Sequence, residues 1–112
     1  MSLYIELQVY KASYDLILII FRFTKDFSKE YKYTIGETMK KEGIDLLLLI
    51  YKANSVKDRV DLLQSAREKL EAVRLLVRIM KDLHQISIRK FIHINEQIET
   101  VSKQLTGWQK SS

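Results

Sequence analysis

No proline interrupts this chain, and glycine occurs only three times in its 112 residues. Sandwiches and barrels need turn residues at short intervals, and disordered linkers are rich in the same breakers. A chain that lacks them keeps its backbone hydrogen bonds local, in helices, wherever apolar residues recur every three to four positions. With 46% hydrophobic and 29% charged residues, there is material for a core and for a solvated surface. The length is that of one domain, and the sequence carries no internal repeat or low-complexity tract. The expectation is a single all-α domain over residues 1–112.

Spacing predicts four helices, over residues 4–26, 34–53, 56–84 and 87–106. In the first, Leu7, Tyr10, Tyr14, Ile17, Phe21 and Thr24 follow the spacing of one buried face, which Leu16, Leu18, Ile19 and Ile20 widen. Thr34 with Glu37 three residues later reads as a capping box at the start of the second helix. Gly43 lies inside that helix, where it costs about 1 kcal/mol relative to alanine and permits close approach of a neighbour. Asn54 and Ser55 close the second helix and can cap the third. Ser87 is the expected N-cap of the fourth, which should bury Ile88, Phe91, Ile92, Ile98, Val101 and Leu105. Gly107 is expected as a left-handed C-cap, with residues 109–112 as a frayed tail. Short connections make successive helices antiparallel, giving an up-down-up-down four-helix bundle.

The same residues exclude several kinds of chemistry. There is no cysteine, so no disulfide, thiolate nucleophile or cysteine-ligated metal is available, and a reducing cytoplasm is the compartment expected. The charge-free apolar run Leu16 to Phe21 falls far short of the roughly 20 residues that cross a bilayer. The N-terminus lacks the basic stretch and long apolar block of a signal peptide. Bundle di-metal sites need glutamates on two helices and Glu-x-x-His on two more; His93 and Glu96 stand in the reverse order and in single copy. Glu68 with Glu71, and Glu96 with Glu99, read as surface charges balancing lysine and arginine. No nucleophilic triad and no phosphate-binding glycine loop is recognisable. The chain reads as a protein without catalysis, metal or cofactor.

The balance of charge is +5, with a pI near 9.4. Residues 1–30 are neutral, so the excess falls later in the chain. In "RLLVRIMKDLHQIS", cations recur one helical turn apart inside an otherwise apolar segment. At 100° per residue, Arg67, Arg74, Arg78 and Lys81 fall in a sector about 60° wide on the third helix, to which the spacing also assigns Arg59. Two readings stand. The cations pair with Glu71, Asp82 and their neighbours while their stems cover the core edge, or the planar forks of arginine grip phosphates or a partner's carboxylates.

Three stretches together resemble a known family. "FSKEYKYTIGETM" (27–39), "SAREKLEAVRLLVRIMKDLHQIS" (65–87) and "LTGWQK" (105–110) are similar to the first connection, third helix and terminal signature of the accessory variability determinant proteins of diversity-generating retroelements. The resemblance spans roughly residues 10 to 110; Ser28 stands where the family commonly has proline. It implies a four-helix bundle assembled into a homo-oligomer, a pentameric barrel with a basic surface. It further implies binding to the element's reverse transcriptase and to RNA or cDNA in mutagenic copying, without catalysis. By position, Arg67, Arg74, Arg78 and Lys81 match the family's basic third helix, and together with Arg59 they would form the nucleic-acid or partner surface. The alternative is a structural helical interaction module of the type encoded in ribosomal RNA intervening sequences, with no specific nucleic-acid role.

Overall fold

The computed structural model describes residues 3–112, with side chains from Glu6 onward. Four long helices, α1 (Leu3–Thr24), α3 (Ile35–Ala53), α4 (Val60–Asp82) and α5 (Ile88–Ser111), are joined with one helical turn, α2 (Lys29–Lys32). Each long helix packs on the next, and α5 returns to α1, which closes the bundle as a square. The antiparallel up-down-up-down arrangement follows from the short connections, as expected.

The core is a repeat of three and four. The buried positions of α3 are Gly36, Met39, Gly43, Leu46, Ile50 and Ala53. Those of α4 are Leu63, Ala66, Leu70, Val73, Val77 and Met80, and those of α5 are Ile94, Ile98, Val101, Leu105 and Trp108. Strict alternation of this kind keeps one narrow stripe facing inward and favours near-parallel, knobs-into-holes packing. Each large aliphatic side chain taken fully from water contributes about 1.5–3 kcal/mol. Gly43 fits its expected role: a Cβ there would lie 2.9 Å from the Ile17 Cδ1 and 3.1 Å from the Ile20 Cδ1, so α1 and α3 approach closely at this point.

Several expectations are corrected. The buried face of α1 is centred on Val9, Ala12, Ser13, Leu16, Ile17, Ile20 and Thr24, while Leu7, Tyr14 and Phe21 are exposed. Both stripes satisfy helical spacing, and only packing against α3 and α5 selects one. In α5, Ile94 is buried, whereas Ile88 and Ile92 are exposed. The capping box does not form: Thr34 Oγ1 donates to the Glu30 carbonyl, 2.8 Å away, and Glu37 pairs with Lys40. The unpredicted turn α2 supplies that carbonyl and so draws the threonine away from the α3 amides.

The third helix begins later than expected, at Val60 rather than residue 56, so Asn54 and Ser55 do not cap it. Arg59 is its N-cap residue and lies outside the helix. Its end, by contrast, is well determined. His84 has φ 59°, the Gln85 amide donates to the Met80 carbonyl (2.8 Å), and the His84 amide donates to that of Lys81 (3.0 Å). This is a Schellman motif with histidine in the left-handed position usually held by glycine. Ser87 caps α5 as expected, accepting from the Lys90 amide at 3.1 Å. Gly107 has no left-handed role, because α5 runs on to Ser111 and carries buried Trp108 with it.

Candidate basic interface

The cations of α4 are held by the protein's own side chains to very different degrees. Arg59, just ahead of the helix, is enclosed: its guanidinium lies 5.5 Å from the centre of the Trp108 ring and donates to Glu6 Oε1 at 2.8 Å. It ties the start of α1, the α3–α4 connection and the end of α5 together. Arg67 donates to Gln109 Oε1 at 2.7 Å, and Gln109 in turn donates to Gln64. Arg74 bridges Glu71 on its own helix and Glu99 on α5. Partial burial in the α4–α5 seam opposes its charge, but hydrogen bonds to Glu99 and Glu71 outweigh this and hold its pKa above the ordinary arginine value.

Further along α4 the constraint loosens. Among the described residues, Arg78 pairs only with Asp82, one turn away, at 3.3 Å, and both side chains are largely in solvent. Such exposed pairs contribute at most a few tenths of a kcal/mol. Lys81 rests its ammonium 5.0 Å from the Phe91 ring centre. Between α4 and α5 lies a groove of about 500 Å³ lined by Glu71, Arg74, Leu75, Arg78, Phe91 and Asn95. The structure therefore brings Arg74, Arg78 and Lys81 along one seam with Arg67 above them, and places Arg59 apart at the bundle's other end.

Spacing on the helical wheel missed a second set of cations. Arg22 stands in the last turn of α1, Lys25 and Lys29 follow it, and Arg89 and Lys90 open α5. Lys90 donates to Asp26 at 3.2 Å and lies 5.3 Å from the Phe23 ring centre, which brings the two stretches together. Neither Lys25 nor Arg89 has a carboxylate three or four residues away in sequence. That local deficit was the available signal, because such spacing is what neutralises cations on a helix.

An apolar surface faces away from this seam. Leu7, Tyr14, Leu18 and Phe21 on α1 are exposed, as are Ile44, Leu48 and Tyr51 on α3. Phe21 and Ile44 line one groove, so the two rows adjoin. Each row repeats at intervals of three, four or seven, the spacing of a helix-packing seam that this bundle leaves uncovered. At the order of 100 Å² left exposed on each large side chain, the seven reach the size at which apolar patches mark interaction sites.

The family model described as "bAvd-like" matches residues 6–112, nearly the whole chain. No curated protein matches the sequence.

Proposed function

The chain belongs to the bAvd-like family, and on that premise we propose that it is a non-catalytic accessory protein of a diversity-generating retroelement. In this reading it works in the cytoplasm as a homo-oligomer, a pentameric barrel. It binds the element's reverse transcriptase together with template RNA or cDNA and supports mutagenic copying. The observation that carries this is the family match across the whole bundle.

Two physical features support it. The uncovered rows on α1 and α3 give a second copy an apolar surface to pack on. Assembly also multiplies a modest +5 charge on one particle, and such a field attracts a polyanion far more strongly than one copy does. The test is reconstitution: reverse transcriptase and template RNA copied with and without this protein. Loss of cDNA yield or of mutagenesis on omission is expected. Unchanged copying, with no co-purification of the polymerase, would sink the reading.

A second reading, a purely structural interaction module, draws support from the internal pairing of Arg59, Arg67 and Arg74. It expects RNA binding that is weak at ~50 mM salt and gone at ~200 mM, because few phosphates would be neutralised.

A further inference from the structure

We infer that one end of the bundle, built from residues 22–33 and 78–93, is a binding site for single-stranded nucleic acid. Its phosphates would be held by Arg22, Lys25, Lys81 and Arg89, and a base would stack on Tyr33. The inference rests on the nucleic-acid reading above and changes where contact is made, from the middle of α4 to its C-terminal end.

The distribution of charge carries the argument. The two segments hold eight cations (Arg22, Lys25, Lys29, Lys32, Arg78, Lys81, Arg89 and Lys90) against three carboxylates (Asp26, Glu30 and Asp82). The difference is +5, the net charge of the whole chain, so the remaining residues balance to zero. The topology brings both segments to the same end: α1 and α4 finish there, α3 and α5 begin there. The hydrogen bond from the Ser28 amide to Gln85 Oε1, at 2.7 Å, joins the two connections directly.

The state of those cations points the same way. Among the described residues, Arg22, Lys25, Lys29 and Arg89 are exposed and make no ion pair, in contrast to Arg59 and Arg74. A cation already held by a carboxylate must break that bond to take a phosphate; an unpaired one has only to shed water and counterions. The backbone of the α4–α5 connection, next to Arg89, is fixed by the Schellman turn at His84 and the Ser87 cap, so little ordering is needed there on binding.

Tyr33 decides between single strand and duplex. It is 61% exposed in the turn between α2 and α3, with the Lys32 ammonium 5.8 Å from its ring centre. An open aromatic face beside unpaired cations is the combination that binds single strands, by stacking on bases and tracking phosphates. A duplex hides its base faces and would leave the tyrosine idle. The bundle as a whole is about 23 by 17 Å across its long axis, a cross-section over which a short stretch of strand can lie.

The test is binding of fluorescent single-stranded RNA to the wild type and to three variants, with circular dichroism confirming that each is folded. For Arg22→Ala/Arg89→Ala, affinity at ~50 mM salt should fall about tenfold or more, with a salt slope shallower by roughly 1.4. Tyr33→Leu should lose at least about fivefold on single strands and little on duplex. Arg74→Gln should bind close to wild type. If the wild type binds but the double variant binds equally well, or Arg74→Gln suffers the larger loss, this end is not the site. If polyglutamate competes as well as RNA, the surface is a carboxylate site and the nucleic-acid assignment fails. A wild type that binds no RNA would overturn the broader reading and this inference with it.

Discussion

The two ends of the bundle treat their cations in opposite ways. At the end where α1 begins and α5 finishes, Arg59 is folded inward, stacked on Trp108 and bonded to Glu6. At the other, Arg22, Lys25 and Arg89 are exposed without an ion pair among the described residues. An arginine under a ring and against a carboxylate acts as a structural bolt, its charge spent on its neighbours. An arginine with no neighbour to neutralise it keeps its field for a partner. Residue type alone does not distinguish these roles; the surroundings do.

The comparison can be broken most forcefully at the closed end. Trp108→Ala should destabilise by about 3–5 kcal/mol in urea unfolding, since a fully buried indole leaves a cavity that its neighbours only partly fill. Arg59→Ala should cost about 1–3 kcal/mol, because it removes the ring contact and leaves Glu6 without its partner. A loss below about 0.5 kcal/mol, ordinary for a surface position, would show that the closed end is not closed.

Smaller changes sharpen the contrast. Gly107→Ala should stabilise by about 0.5–1 kcal/mol, since the glycine is mid-helix and its missing Cβ would point into open space. His84→Gly at the basic end should also stabilise, by up to about 1 kcal/mol, by relieving an L-residue held in the left-handed region. Loss of stability in either variant would contradict the backbone geometry given above. Arg22→Ala/Arg89→Ala should leave the urea midpoint within about 0.5 kcal/mol of wild type, in contrast to Arg59→Ala.

The smallest effect lies between the ends. The hydrogen bond from Lys41, with a further contribution from Lys69, outweighs desolvation and holds Asp45 below its ordinary pKa. A depressed folded-state pKa means the carboxylate contributes stability above its unfolded value, lost as pH falls through the folded one. Asp45→Asn should therefore show a slight deficit in Tm near neutral pH that vanishes on acidification below the usual carboxylate range. A deficit independent of pH would assign it to packing.

Much of this was legible in the sequence. The absence of proline and the three-to-four spacing gave four helices and their order. Ser87, a short polar residue immediately ahead of an apolar-periodic segment, marked a cap that forms. The failures have a common cause. Leu7, Tyr14 and Phe21 match helical spacing as well as Val9, Leu16 and Ile20 do, and the choice is made by neighbouring helices that a single wheel does not contain. Gly107 carried the composition of a C-cap, but burial of Trp108 keeps α5 helical beyond it. The arginine stripe was visible as a pattern, whereas Gln109 and Glu99, which hold Arg67 and Arg74, lie on another helix.

The Arg59 bolt also fixes where the chain enters and leaves. Glu6 and Trp108 meet through one guanidinium, so α1 starts and α5 finishes side by side, with the basic end across a body about 43 Å long. A fluorophore attached at the start of α1 or the end of α5 would thus lie at the far side from the cationic surface. Energy transfer from such a label to a dye on a bound strand would then read out, as a distance, which end of the molecule the strand has chosen.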